Sequence, residues 1–125
     1  MNAIDMARMA YSNPQDATRT LRDIEYDAFA RVTHRLKSAS QGGDAAFAAL
    51  IRALHENKQL WTVIASDVAE PTNGLPKQLR AQLFYLYEFT DQHTRKVLNR
   101  KATADALIDI NTAIMRGLRG QAVTK

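Results

Sequence analysis

Three histidines, His34, His55 and His93, and a run of cations at Arg95, Lys96, Arg100 and Lys101 are the side chains here with types suited to chemistry. A helical zinc site sets two histidines four residues apart on one face. No two of these three have that spacing, so they read as surface or hydrogen-bonded structural residues. His93, on an apolar seam, is the one expected to be half-buried. The carboxylates at Asp23, Glu25 and Asp27, and at Asp105 and Asp109, alternate with basic residues or stand near helix starts. Solvation and the helix dipole account for them. No glycine-rich phosphate loop, G-x-S-x-G turn or Ser/His/Asp grouping occurs, so the chain reads as non-enzymatic, without metal or cofactor.

The basic run has two readings. As a patch for RNA or an acidic partner it would bind phosphates, and as the end of a helix it would complement the negative pole of the dipole. The second is favoured, because the chain's aromatic residues sit a turn or more upstream, not interleaved for base stacking. The net charge of +4 is a modest surplus spread along the chain, which permits nucleic acid or an acidic face without requiring either.

These side chains must be held by one core. A chain of 125 residues is the size of a single domain, burying roughly two-thirds of its unfolded surface. The absence of cysteine excludes disulfides and thiolate chemistry and fits a reducing cytoplasm. No apolar run has the length of a signal sequence, and none approaches the roughly 18 residues of a membrane span. A cytoplasmic protein is the expectation.

Helical periodicity runs nearly throughout. Ile4, Met6, Met9 and Tyr11 are read as part of a mobile N-terminal helical arm over residues 1–13. Leu21, Ile24, Ala28, Val32 and Leu36 then recur at three- and four-residue steps, with Phe29 at the edge of their stripe. This helix starts either at a capping box, Thr20 with Asp23, or earlier at Asn13-Pro14. SASQGG at 38–43 marks a turn, after which Asp44 is the expected N-cap of a second helix. Its seam is Phe47, Leu50, Leu54, Asn57, Trp61, Ile64 and Val68. The Pro71-to-Pro76 break ends it, and Pro76 can open a third helix with Leu79, Leu83, Leu86, Thr90, His93 and Val97 on its seam. Thr103 and Asp105 begin a fourth, lined by Leu107, Ile110, Asn111, Ile114 and Leu118, with a tail from residue 119. No segment alternates like a strand. The class is all-α, a small antiparallel bundle of about four main helices with the N-terminal arm.

Two features of these faces exceed what a core needs. Asn57 and Asn111 lie on apolar faces, where a buried amide must find a partner; an inter-helix hydrogen bond is favoured over a direct role in partner binding. Phe84, Tyr85, Tyr87 and Phe89 fall within six positions, and successive helical residues rotate by about 100 degrees, so four rings cannot share one stripe. With Leu83 and Leu86 inward, Phe84 pairs with Tyr87 on one flank and Tyr85 with Phe89 on the other. The N-terminal arm covers these rings, or they form a groove for another chain's amphipathic helix.

The segments DIEYDAFARVT at 23–33, NKQLWTVIASDVAEPTNGLPKQLRAQL at 57–83 and LIDINTAIMRGL at 107–118 resemble the alphaproteobacterial flagellar regulator family FlaF. Asn57, Trp61, Asp67, Pro71, Asn73, Leu75, Pro76, Leu79 and Arg80 in that order carry the likeness, which extends from about Thr20 to Leu118. FYLYEF at 84–89 is richer in rings than the family pattern, and the first dozen residues lie outside it. The resemblance implies a cytoplasmic factor for flagellin production and export, working beside the antagonist FlbT, with no catalysis and no cofactor. It implies flagellin as the partner; from the rings, Trp61, Phe84, Tyr85, Tyr87 and Phe89 are the candidate contacts, and flagellin's C-terminal region is the segment expected to dock there. FlbT is a second possible partner, and regulation of flagellin mRNA with FlbT or directly is the alternative function.

Overall fold

The computed structural model describes residues 16–123, with side chains from 26 to 117. The arm at 1–13 therefore lies outside the described residues. Four α-helices follow one another: α1 (Asp16–Ser40), α2 (Phe47–Ala69), α3 (Lys77–Leu98) and α4 (Asp105–Val123), with a 3-10 turn at Gly43–Ala46. Among the described residues there is no strand, and short connections fold the helices into the all-α up-and-down bundle that the periodicity predicts.

The boundaries differ from the sequence reading in instructive ways. α1 is already helical at Asp16, so the Thr20–Asp23 capping box does not start it, and the alternative start at Asn13-Pro14 lies outside the described residues. SAS is not yet turn: α1 continues through Ser40, whose hydroxyl donates to Lys37 O at 3.0 Å, and the reversal is left to the glycines. Gly43 takes φ +66°, and a Cβ on Gly42 would lie 2.4 Å from that of Ala46, so both positions need glycine. Asp44 does not cap α2, because the 3-10 turn delays that helix to Phe47 and no side chain caps it. α4 runs on through Gly117 and Gly120 to Val123, past residue 119 where a tail is expected. An isolated glycine costs a helix only about 1 kcal/mol relative to alanine, too little to stop it.

α2 packs between α1 and α3, α1 also packs along α4, and α3 meets α4 only slightly. Two apolar clusters fill the interior. One holds Phe29, Trp61, Ile64, Val68 and Ile114, and the other Val32, Leu36, Ala53, Leu54, Val97, Ala104 and Leu107. Between them lies a polar layer. The Arg35–Glu56 pair sets α1 against α2 and the Lys58–Asp91 pair sets α2 against α3. With a rise of 1.5 Å per residue, these registers bring Thr33, Asn57 and Thr90 to one level, where Asn57 also meets Asn111 of α4. All four are buried, one from each helix.

Candidate functional site

The ring-rich stretch falls in the first half of α3, where Leu79 is buried and Leu83 and Leu86 pack against the Trp61 cluster. That orientation turns Phe84 and Tyr87 to one flank as an i,i+3 pair, centroids 5.5 Å apart and planes tilted by 50°. Tyr87 is half-buried on the core. Phe84 is 38% exposed and Tyr85 65%, unusual for such large rings on a small bundle. Beside them is a hollow of about 520 Å³, floored by Val68 and Ala69 of α2 and walled by Lys77, Arg80, Ala81, Phe84 and Tyr85 of α3, with Glu88 at its rim.

The hollow is built on a rigid corner. Arg80 Nε donates to Val68 O and its Nη2 to Glu70 O, both at 2.9 Å, satisfying carbonyls that the end of α2 leaves open. Asn73 closes the connection: its Oδ1 accepts from Leu75 N and its Nδ2 donates to Asp67 O, each at 3.0 Å. Arg80 N donates to Pro76 O, so Pro76 stands just outside α3 and its carbonyl takes the first helical bond. Asp67, Asn73, Leu75, Pro76 and Arg80 thus act as one hydrogen-bonded unit that fixes the start of α3 on the end of α2.

Two of the five candidate contacts belong elsewhere. Trp61 is 0% exposed; its Nε1 donates to Asn111 Oδ1 at 3.0 Å and its ring meets Phe29 edge-on at 5.7 Å. It has no surface to offer a partner, because the diagonal amide satisfies its N–H inside the core. Phe89 pairs not with Tyr85 but with His93, stacked at 5.5 Å and 17°. His93 is held in turn by Nε2 lying 2.8 Å from Thr103 O, which draws Phe89 toward the α3–α4 connection. Phe84 and Tyr85 remain beside the hollow, and Tyr87 packs against the Trp61 cluster.

The four cations do not make one patch. Arg95 pairs with Asp91, which also takes Lys58 at 3.2 Å. Arg100 lies 4.1 Å over the Phe47 ring and 3.4 Å from Asp44. Lys96 and Lys101 are exposed with no ion pair among the described residues. The backbone explains the bend: Arg100 N donates to Val97 O and Lys101 N to Lys96 O, with Arg100 at φ 60°, a left-handed helix cap where glycine is usual.

Sequence reasoning missed a second hollow of about 620 Å³ between α1 and α2, crossed by the Arg35–Glu56 pair and floored by Ala39, Ala49 and Ala53. Its only signal is the alanine-rich start of α2. His34 and His55 are exposed and His93 is half-buried. Among the described residues no three His, Cys, Asp or Glu side chains converge as for a metal, and no helix is long and apolar enough to cross a membrane.

Comparison with known proteins gives no significant match among curated proteins or solved structures. The profile of the family described as Flagellar protein FlaF matches residues 7–118, taking in α1, α2, α3, the greater part of α4 and every residue of the corner between α2 and α3. The chain belongs to the FlaF family and so has a role in flagellum biogenesis.

Proposed function

We propose that this protein is a cytoplasmic, non-catalytic regulator that binds flagellin and promotes its production and export, receiving an amphipathic flagellin helix in the hollow beside Phe84 and Tyr85. The observation that carries the reading is the exposure of these two rings over a pre-formed hollow, in a chain of a flagellar family. Flagellin's terminal segments are amphipathic and prone to polymerise, so a carrier has to cover their apolar stripe. Helix-in-groove packing does so, and aromatic anchors supply most of its energy, at about 2 kcal/mol or more each. The C-terminal region is the segment proposed.

The test is co-purification with flagellin truncated at either end, with FlbT present and absent, for the parent chain and for Phe84→Ala and Tyr85→Ala. Each substitution is expected to weaken flagellin binding about 30-fold, as loss of one such anchor implies. Unchanged binding by both variants overturns the site. Retention of FlbT alone assigns the hollow to that regulator.

The alternative, post-transcriptional control with FlbT or directly on flagellin mRNA, has the weaker support. A direct RNA surface would draw on Arg95, Lys96, Arg100 and Lys101, of which Arg95 and Arg100 already have surface partners in this chain.

A further inference from the structure

The outer face of α3 carries a self-complementary strip. Lys77, Ala81, Phe84 and Glu88 follow one another at four-, three- and four-residue steps, so at about 100 degrees per residue they lie within about 60 degrees of one another. All four are exposed, on the side of the helix turned away from Leu79 and Leu86, which face the core. Tyr85 stands on one flank of the strip, and all five side chains border the hollow. Neither Lys77 nor Glu88 has an ion pair among the described residues.

The order along the strip is what self-pairing needs. A cation begins it and an anion ends it about 16 Å further on, with a small side chain and a large ring between them at equal distances from the midpoint. A two-fold axis passing between Gln82 and Leu83 therefore sets Lys77 of one copy opposite Glu88 of a second, and Ala81 opposite Phe84. Both ion pairs form at once. Each Phe84 ring meets the alanine of the other copy, whose single methyl leaves the room that the ring fills, and Tyr85 closes over that alanine from the flank. A crossing of about 20 degrees keeps the two antiparallel helices in contact over these three turns. The parallel arrangement fails, since it would set lysine against lysine and glutamate against glutamate.

The contact is also small. Five side chains from each copy are far fewer than the roughly 20–30 residues a side of a stable interface, so the association is weak and reversible.

We propose that two copies of the partner-free protein associate through antiparallel α3 helices, with Lys77 of each paired to Glu88 of the other and the Phe84 and Tyr85 rings packed about Ala81. The dimer covers the rings that a single chain exposes, and a partner taking the same strip has to separate the copies. The association does not depend on what that partner is, so the experiment uses the protein alone.

Sedimentation equilibrium of the full-length protein is expected to show a monomer–dimer equilibrium with a Kd on the order of 100 μM. Lys77→Glu or Glu88→Lys sets like charges together at both ends of the contact, and each is expected to weaken it at least about tenfold. The helical circular dichroism should stay unchanged, because both residues are exposed. Placing both substitutions in one chain, or mixing the two single variants, restores opposite charges at both ends and should return the Kd to within about threefold of the parent. A protein that remains monomeric up to about 1 mM overturns the proposal. So does a double variant that associates no better than the single ones. A dimer that neither single substitution weakens also overturns it and assigns the association to another face.

Discussion

Asn111 Nδ2 donates to Asn57 Oδ1 at 2.8 Å across the bundle, while Asn111 Oδ1 accepts from Trp61 Nε1 at 3.0 Å. These bonds join α2 and α4, which touch only through side chains, and they place two amides and an indole N–H where water cannot reach. Such a contact holds register: a slip of α4 by one residue would strand three polar groups in an apolar interior.

The two asparagines are not equivalent. Asn111→Leu leaves both the Trp61 N–H and Asn57 Oδ1 without partners. Asn57→Leu strands only Asn111 Nδ2 and also removes an Nδ2 that has no partner among the described residues. Asn111→Leu is expected to cost about 3 kcal/mol and Asn57→Leu about half that. Urea midpoints at constant slope measure both, and the double variant should cost less than the sum. Additive costs would break the account.

Arg80→Met keeps the aliphatic stem and removes the two donors to Val68 O and Glu70 O. A loss of about 2 kcal/mol is expected, with faster amide exchange in the Pro71-to-Pro76 corner than elsewhere. Arg80→Lys should recover little, since one ammonium cannot reproduce the planar fork. Full recovery by lysine would contradict the capping role.

Arg100 occupies a left-handed cap at a cost of about 1 kcal/mol relative to glycine, partly offset by its stacking on Phe47. Arg100→Gly should therefore stabilise a Phe47→Leu background by about 1 kcal/mol and the parent chain by less. Paired thermal melts check the difference, and equal gains in the two backgrounds would mean that the stacking contributes nothing.

Salt dependence separates the two proposed functions. If Lys96 and Lys101 are the only cations available to a single-stranded RNA, raising salt from about 50 to about 200 mM weakens binding about sevenfold. A flagellin complex seated on Phe84 and Tyr85 should change much less over that range. RNA binding that falls by about this factor and is abolished by Lys96→Glu with Lys101→Glu would favour the messenger reading.

Much of the fold is legible because helical periodicity is local. The seam of α2 from Leu54 through Asn57, Trp61 and Ile64 to Val68 is buried as its spacing predicts. Phe29 is less legible: placed by its spacing at the edge of a stripe, it is 2% exposed, because Trp61 of the neighbouring helix reaches across to its ring. The ends of the helices are less legible. The end of α1 and the start of α2 depend on a 3-10 turn and two special glycines, whose conformations leave no periodic trace.

By itself the sequence determined the class: four amphipathic helices, the Pro71-to-Pro76 corner, two asparagines on apolar faces and more rings in α3 than one stripe can hold. Spacing along a helix fixes which residues share a face, and nothing more is needed for those conclusions. Tertiary structure alone decided which neighbours those faces meet. Asn111 serves Asn57 and Trp61 from fifty or more positions away, Phe89 turns to His93, and Arg95 and Arg100 find surface partners in Asp91 and Phe47. Phe84 and Tyr85 are left beside the hollow because the relative rotation of α2 and α3 covers Tyr87 and stops short of them. That rotation is set by long-range packing and by the Arg80 clasp, neither of which is written in the spacing of any one helix.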